Sequence, residues 1–363
     1  MIRTLPTAAR RLALAAILAF GAASPALAAA PCPIDTRTAA VGSGTVSYNV
    51  TGAGPVVLLL HGLFADKEQW STLACELAAA GYRAIAPDLP GYGKSTGYGL
   101  SAYRLDLQVA LLEAFAERVG LVDFALGGNS MGGTIAALYA RGHPARVRSL
   151  AFLGSPLGVV PWHPDLRAAI YRGMNPFVPV DAAQLDVELG LLFVKPPALT
   201  DAQKRSLVAP YVEHNRHYVQ VWNIVNLYDD VLVQRTPPRV PALIVWGEAD
   251  RVYSVRGASL LQRRIAGSVV RTLPAAGHLL HMESAAAVAP IYVEFLKTAA
   301  ASQPREPRMP ASGARLKNVE SRPRMKRRRS SRTSSSIARL SNSSVTRSIR
   351  STLTSATVTR PVT

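Results

Sequence analysis

The sequence predicts an α/β fold in which a mostly parallel central sheet is flanked by helices. Short, continuous apolar runs such as Val56–Leu60 and Ala242–Gly247 are typical of strands that are buried on both faces of a parallel sheet. Amphipathic helical patterns, for example at residues 105–119, separate these runs along the chain. A chain of 363 residues with 48% hydrophobic content is long enough to bury one large core. We therefore expect one main domain, with an insert where the alternation of strands and helices lapses.

Residues 1–28 have the composition of a secretory signal peptide. Three arginines precede an apolar run at residues 12–23, and Ala26-Leu27-Ala28 supplies the small residues of a cleavage site. The apolar run is shorter than the roughly 20 residues that a membrane span requires. The sequence therefore predicts cleavage, and an exported protein that is periplasmic or secreted.

The chain has two cysteines, Cys32 and Cys75. In an exported protein they can pair, and closing a loop of that length stabilises the fold by about 4 kcal/mol in the chain-entropy model. Alternatively, Cys75 is a small apolar residue of a helix predicted at residues 67–80. The sequence leaves both interpretations open.

A strand at residues 56–60 ends at His61 and is followed by a short Gly-containing loop. A loop at this place supplies a backbone N–H to an oxyanion hole, and we predict Leu63 as the donor, with the N–H of Met131 as the second. We expect His61 to shape the loop rather than to transfer protons. Asp88, at the end of the next predicted strand, is expected to accept hydrogen bonds from turn amides.

The pattern G-x-S-x-G occurs at Gly128, Ser130 and Gly132, between an apolar strand run and a helix of small residues. In such a strand-turn-helix unit the serine lies on a sharp turn with its hydroxyl exposed, and the glycines let the two backbones approach. The helix N-terminus favours developing negative charge. The pattern indicates a nucleophilic serine, although a purely structural tight turn uses the same residues.

Two further candidates follow strands in the second half of the chain. Asp250 comes after Ala242–Gly247, and His278 comes after a strand predicted at residues 268–273. Ser130, Asp250 and His278 thus arrive in that order at the carboxyl ends of predicted strands, the edge at which sites of open α/β sheets lie. We predict a triad in which His278 is the general base and Asp250 orients it.

These motifs resemble the α/β-hydrolase fold. The His-Gly loop, the segment at residues 88–93 and the segment at residues 128–132 have its order and spacing, and the resemblance extends over about residues 44–297. Residues 61–70, in which a Lys and a Trp follow the His-Gly loop, are similar to the lipase and monoacylglycerol-lipase-like branch. The family patterns Trp-Gly-x-x-Asp and Gly-His favour Asp250 and His278 over the nearby rivals, Glu248 and His281.

The resemblance implies a serine esterase or lipase that cleaves carboxylic esters through an acyl-serine, with a lipid or acylglycerol ester as the expected substrate. One alternative is a carbon-carbon bond hydrolase of ring-cleavage products, whose elbow is similar. Those enzymes have a glycine-rich loop after His-Gly, where this chain has Leu63 and Phe64. The other alternative is a non-catalytic binding protein of the same fold. Because Ser130 stands at the nucleophile position, an epoxide hydrolase or dehalogenase, which carries Asp there, is not indicated.

Residues 158–239 are too long for a loop in a compact domain and contain helical patterns, at residues 201–208 and 211–225. They are predicted to form a helical cap between the two parts of the core, residues 29–157 and 240–300. Three histidines of this segment are expected on the surface or in packing contacts: His163, His214 and His217. Its apolar residues either line an acyl pocket or pack the cap helices together: Trp162, Phe177, Leu191, Leu192, Phe193, Trp222 and Leu227.

The net charge of +18 lies mostly outside the predicted core. Residues 301–363 carry 15 Lys and Arg against two Glu, and the signal segment adds three arginines, which leaves about +2 for the body. We therefore expect no specific nucleic acid partner. The tail is predicted to be disordered, and is either a solvated extension or a polybasic arm with weak contact to a membrane surface.

The sequence indicates neither a metal nor an organic cofactor. The histidines lack the spacing with carboxylates or cysteines that metal sites use, and no loop with a phosphate-binding Gly-Lys-Ser/Thr ending has the required preceding glycine.

Overall fold

The computed structural model of the protein describes residues 32–227 and 230–302. The predicted signal peptide, residues 1–28, lies outside the described residues, and so does the predicted basic tail apart from Ala301 and Ser302. Both stay predictions.

The centre of the structure is an eight-stranded sheet with the order β1-β2-β4-β3-β5-β6-β7-β8. Its first two strands are antiparallel to their neighbours, and all the pairings among the other six are parallel. The predicted mostly parallel sheet is therefore confirmed. The strands are β1 (Asp35–Val41), β2 (Gly44–Thr51), β3 (Val56–Leu60), β4 (Arg83–Pro87), β5 (Phe124–Ser130), β6 (Val147–Pro156), β7 (Ala242–Gly247) and β8 (Val269–Leu273).

Helices cover both faces of this sheet. Short 3₁₀ helices at Lys67–Trp70 and Leu100–Tyr103 precede α1 and α2. The α-helices are α1 (Ser71–Ala79), α2 (Leu105–Arg118), α3 (Met131–Gly142), α4 (Pro164–Tyr171), α5 (Ala182–Leu192), α6 (Asp201–Glu213), α7 (Asn215–Asn226), α8 (Val231–Gln234), α9 (Arg256–Arg264), α10 (Leu280–Glu283) and α11 (Ala285–Ala301).

The position of β3 in the sheet explains why its apolar residues form an uninterrupted run. Successive side chains point to opposite faces of a sheet. Leu58 and Leu60 pack into the cluster that contains residues of α2 and α3, whereas Val57 and Leu59 pack into the cluster that contains residues of α1 and α11. All four are fully buried. A strand covered by helices on both sides needs apolar residues at every position.

Two local predictions need correction. The helix predicted at residues 67–80 is divided, because the Asp66 side chain caps a separate 3₁₀ turn before α1 begins at Ser71. In the cap, α6 continues past residue 208 to Glu213, and the break falls at His214, whose backbone is not helical (φ −116°, ψ 29°).

Strand β1 was not predicted at all, since five of its seven residues are exposed and it lacks an apolar pattern.

The segment predicted as a cap lies between β6 and β7, where the structure places α4 to α8. A separate apolar cluster joins α5 to α6 through residues such as Leu185, Leu189 and Leu207. Leu279, next to His278, belongs to the same cluster, so the cap is packed against the loop that carries the predicted general base.

Cys32 and Cys75, which are 43 positions apart in the sequence, form a disulfide. This bond ties the segment that precedes β1 to α1, and it decides between the two interpretations that the sequence left open.

Across residues 32–227 and 230–302, none of the helices has both the length and the apolar character that crossing a membrane demands.

Candidate active site

Ser130 lies at the junction of β5 and α3, as the strand-turn-helix pattern predicted. Its backbone has φ 51° and ψ −122°, a conformation that is costly for a residue with a side chain. Gly132 makes the sharp turn possible, because a Cβ at that position would lie 2.2 Å from the carbonyl oxygen of Leu60. A sharp turn of this kind directs the serine side chain away from the sheet, and Ser130 lines a cavity.

The cavity has a volume of about 700 Å³, counted with the solvent space at its mouth. Ser130 and His278 both line it, and so does Leu63 of the loop after β3. Ser130 is only 9% exposed, so this cavity is its access to other molecules. The carboxyl ends of β3, β5, β6 and β7 and the turn after β8 therefore meet where the sequence placed the site.

His278 and Asp250 form a buried pair. The His278 Nδ1 atom lies 3.0 Å from Asp250 Oδ2. The other carboxylate oxygen, Oδ1, accepts the backbone N–H groups of Val252 at 2.8 Å and Tyr253 at 3.0 Å. These bonds fix the carboxylate, which in turn favours the tautomer with the proton on Nδ1. The second ring nitrogen, Nε2, is then free to accept a proton.

Ser155, at the end of β6, is a third member of this network that sequence reasoning missed. Its hydroxyl donates a hydrogen bond to Asp250 Oδ2 at 3.1 Å, and its Oγ lies 3.2 Å from His278 Nδ1. The same rule that selected Asp250 and His278, a polar residue at the carboxyl end of a strand, applies to Ser155 as well.

The two predicted oxyanion donors lie near Ser130, one next to it in the chain and one in the loop after β3. Met131 is the first residue of α3, and the first four N–H groups of a helix have no partner within it. The loop that contains Leu63 passes close to the serine, because a Cβ added to the neighbouring Gly62 would lie 3.4 Å from Ser130 Cβ. The structure therefore brings a helix N-terminus and a loop backbone together at the serine.

His61 shapes this loop, as expected. Its Nδ1 donates to the Gly62 carbonyl at 2.7 Å, and its Nε2 accepts the Leu89 N–H at 2.9 Å. Both nitrogens are thus engaged in holding backbone, and burial lowers the pKa of His61 to about 4. A buried, neutral imidazole with two backbone partners is not a proton carrier.

Asp88 also has the structural role that was expected. Its carboxylate is fully buried and accepts the backbone N–H groups of Lys67 and Lys94, each at 2.7 Å. The buried Lys67 ammonium lies 3.1 Å from the same carboxylate. Asp88 therefore ties the start of the 3₁₀ helix after the His-Gly loop to the turn after β4.

His281 and Glu248, the alternative candidates for the base and the acid, have partners elsewhere in the structure. His281 stacks on Trp70 with ring centroids 4.2 Å apart, and its Nε2 accepts from Gln69 Nε2 at 2.7 Å. Burial lowers the pKa of His281 to about 3. Glu248 is exposed and accepts the Thr272 hydroxyl at 2.8 Å. Neither residue lines the cavity of Ser130.

The cap supplies one wall of the cavity, and its apolar candidates divide into two groups. Trp162, Phe177, Leu192 and Trp222 line the cavity, with the Phe177 and Trp222 rings stacked 5.3 Å apart. The others do not line it: Leu191 and Phe193 belong to packed clusters, and Leu227 is 77% exposed.

The three cap histidines make local contacts. His163 accepts the Asp165 N–H at the start of α4, His214 is partly exposed beside Glu213, and His217 packs against Tyr103. None of the three lines the cavity. Three polar cap residues that do line it, Glu188, Tyr211 and Asn226, escaped sequence analysis because a helical pattern does not tell which side of a cap helix faces the core.

In the part of the chain that the structure describes, no cluster of three or more His, Cys, Asp or Glu side chains has the arrangement of a metal site.

Comparison with known proteins agrees with this architecture. Residues 55–285 match the α/β hydrolase fold family, so the chain belongs to the α/β-hydrolase family. A solved membrane phospholipase A, described as a bacterial virulence factor, is 31% identical with a TM-score of 0.68, over 74% of this chain and 87% of that one.

Two curated relatives place the chain more closely. The monoacylglycerol lipase abhd6-B of Xenopus laevis is 27% identical over 68% of this chain and 77% of the relative. Lipase 1 of Psychrobacter immobilis is 26% identical over 72% of this chain and 83% of the relative. These relations confirm the prediction of a carboxylic ester hydrolase from the lipase-like branch of the family.

Proposed function

We propose that the protein is an exported serine esterase that hydrolyses lipid or acylglycerol esters through an acyl-Ser130 intermediate. The observation that carries this proposal is the hydrogen bond of 3.0 Å between His278 and Asp250, beside a cavity that both Ser130 and His278 line.

In the first half of the reaction, His278 Nε2 takes the Ser130 hydroxyl proton while Ser130 Oγ attacks the ester carbonyl carbon. The negative charge that develops on the carbonyl oxygen is stabilised by the N–H groups of Leu63 and Met131. The carbon–oxygen bond to the alcohol then breaks, and the imidazolium of His278 returns its proton to the leaving alkoxide. The products of this half are the free alcohol and an ester between the acyl group and Ser130.

In the second half, His278 takes a proton from water, and the resulting nucleophile attacks the acyl-Ser130 carbonyl. Collapse of this second intermediate releases the carboxylic acid and restores the Ser130 hydroxyl. Throughout both halves, Asp250 keeps the imidazole in one tautomer and stabilises its positive charge when it is protonated.

A lipid substrate is supported by the composition of the cavity. Its cap wall is aromatic, with Trp162, Phe177 and Trp222, which suits an acyl chain. No Lys or Arg is found among the described residues that line it, so the cavity offers no cation for an anionic group. The relatives named as lipases and monoacylglycerol lipases support the same substrate class.

Export is supported by the pattern of residues 1–28 and by the disulfide, since disulfides persist in oxidising compartments. Expression of the full chain in a bacterium, followed by fractionation and mass measurement, tests it. We expect an exported chain that begins at Ala29. A cytoplasmic chain that keeps its first 28 residues would contradict this part of the proposal.

The catalytic part is tested by hydrolysis of p-nitrophenyl esters from acetyl to palmitoyl, with the protein from Ala29 onward and its Ser130→Ala variant. Ser101→Ala, which removes an exposed serine hydroxyl, is the matched control. We expect turnover in the parent and the control and its loss in Ser130→Ala. Equal turnover in all three would exclude Ser130 as the nucleophile, and no turnover in any, with intact folds by circular dichroism, would favour a binding protein.

A further inference from the structure

Glu188, on helix α5 of the cap, lines the same cavity as Ser130 and His278. It is only 8% exposed. Among the described residues, its carboxyl has neither a hydrogen bond nor an ion pair, whereas Asp186 on the same helix pairs with Lys204 at 2.7 Å. A carboxyl that is removed from water without a partner costs free energy. Its position in a mostly apolar cavity therefore points to a partner that enters with the substrate.

The protonation state of Glu188 limits what that partner is. Burial raises the pKa of Glu188 to about 8, so at neutral pH the side chain is a neutral acid. A neutral carboxyl presents one O–H donor and one carbonyl acceptor. An alcohol hydroxyl, which is also both donor and acceptor, matches this pair of groups.

Tyr211, on α6, provides a second polar group in the same place. It lines the cavity with Glu188. Its pKa is raised well above the ordinary value by burial and, next in size, by the charge that Glu188 carries once it has ionised at high pH. The two side chains are therefore close enough to interact, and they approach from two different cap helices. A phosphate or carboxylate group would not fit there, because the described lining residues include no Lys or Arg.

We propose that Glu188 and Tyr211 form a hydrogen-bonding subsite in the cap for a free hydroxyl of the alcohol part of the ester. This inference rests on the proposed esterase function and deepens it. An ester whose alcohol part keeps a free hydroxyl, such as a monoacylglycerol, fills the subsite, whereas a simple alkyl ester of the same acid leaves it empty. The acyl chain then occupies the aromatic part of the cavity.

The kinetic test compares 1-monooctanoylglycerol with methyl octanoate, which have the same acyl chain. The quantity measured is kcat/KM for 1-monooctanoylglycerol divided by kcat/KM for methyl octanoate. We expect Glu188→Leu to lower this ratio about tenfold, mainly through KM for the glycerol ester, and Tyr211→Phe to lower it several-fold. Glu188→Gln, whose amide is again both donor and acceptor, should keep the ratio within about threefold of the value for the parent protein. Asp186→Leu, which removes an exposed carboxyl from the same helix, leaves the ratio unchanged.

A binding test that needs no turnover separates this inference from the proposed function. In the Ser130→Ala background, 1-O-octylglycerol and methyl octyl ether are titrated against tryptophan fluorescence, since Trp162 and Trp222 line the cavity. We expect Glu188→Leu to weaken binding of octylglycerol about tenfold relative to the ether. Absence of hydrolysis by the parent protein would overturn the esterase function, and this titration would still decide the subsite.

The subsite is overturned if Glu188→Leu changes the affinity for both ligands equally, or if it leaves both the binding and the kinetic ratio unchanged. It is also overturned if the ratio falls only for esters that carry the hydroxyl on the acyl chain, because Glu188 would then face the acid part of the substrate.

Discussion

Asp250 accepts four hydrogen bonds, from two backbone amides, the Ser155 hydroxyl and the His278 ring. Ser155 is the only one of these donors that a substitution removes without disturbing the backbone or the base itself. Its hydroxyl holds the carboxylate in the position that aligns His278. We interpret Ser155 as a positioning residue, which acts through Asp250 and does not touch the substrate.

We predict that Ser155→Ala lowers kcat about tenfold, with KM nearly unchanged. The loss of one hydrogen bond to a charged group leaves the carboxylate freer to move, and the imidazole then spends less time in its productive orientation. The control is Ser149→Ala, which removes a buried serine hydroxyl from the same strand. If both variants lose activity in proportion to their fall in Tm, the role of Ser155 is structural only.

Glu188 also has a consequence for stability. Its pKa is about 8 in the folded protein, whereas an unfolded chain has the ordinary value near 4.5. Between these values the unfolded state has released a proton that the folded state keeps, so this residue makes the folded state less stable as pH rises from about 4.5 to 8. Its contribution has a slope of at most about 1.4 kcal/mol per pH unit.

We predict that Glu188→Gln is more stable than the parent at pH 8 and that this advantage shrinks toward pH 5. Urea unfolding at pH 5, 6.5 and 8 measures it, with Asp186→Asn as the control for an exposed carboxyl. A difference in the free energy of unfolding that does not vary with pH would contradict the raised pKa.

The positions of Ser130, Asp250 and His278 at one edge of the sheet were predictable because each stands at the end of a strand or in the turn that follows one. Glu188 and Tyr211 were not, since their importance depends on how cap helices are rotated against the sheet. That rotation is set by contacts such as Leu185 and Leu189 with Leu207, between residues that are distant in sequence.

At the scale of elements, the loop after β3 depends on a buried ion pair. Asp88 and Lys67 are both almost completely buried, with the carboxylate and ammonium 3.1 Å apart. Asp88 also satisfies two loop amides. Removal of the carboxylate therefore leaves two backbone donors without their partner and takes from the buried ammonium its buried counter-charge, although the Glu68 carboxylate remains 3.3 Å from Lys67.

We predict that Asp88→Ala lowers the free energy of unfolding by about 3 kcal/mol, the lower end of the range for breaking a buried pair. Asp106→Ala, which breaks the exposed pair with Arg104, should lower it by less than about 1 kcal/mol. Denaturant titration of both variants checks this. Equal effects would mean that Asp88 does not hold the loop.

Strands were easier to predict than the ends of helices. β3 and β7 are continuous apolar runs because helices cover both of their faces, and their predicted bounds agree with the structure. The edge strand β1 has no such signal, and its pairing with β2 depends on backbone hydrogen bonds that many sequences can make. The break between α6 and α7 at His214 has no comparable local signal. The nearest helix-breaking residue, Pro210, lies one turn earlier and inside α6.

At the scale of the whole molecule, the disulfide closes a loop that contains β1, β2, β3 and the loop after β3 with Leu63. A cross-link of this length limits the freedom of the unfolded chain. It does not touch the cavity, because neither cysteine lines it. Its effect should therefore be on stability and not on the chemical step.

We predict that the double variant Cys32→Ser/Cys75→Ser loses about 2–4 kcal/mol of unfolding free energy while kcat at 25 °C stays within about twofold of the parent. Unfolding of the parent in the presence of a reductant should approach the value of the variant. A parent that unfolds identically with and without reductant would indicate that the two thiols are not paired.

Covalent labelling shows whether Ser130 is the residue that carries the acyl group. A fluorophosphonate reacts with a nucleophilic serine when the serine oxygen bonds to phosphorus and fluoride leaves. We predict one adduct per chain, on the peptide that contains Ser130, with loss of ester hydrolysis in step with labelling and no adduct in Ser130→Ala. An adduct on a different residue, or ester hydrolysis that persists in Ser130→Ala, would mean that Ser130 is not the nucleophile.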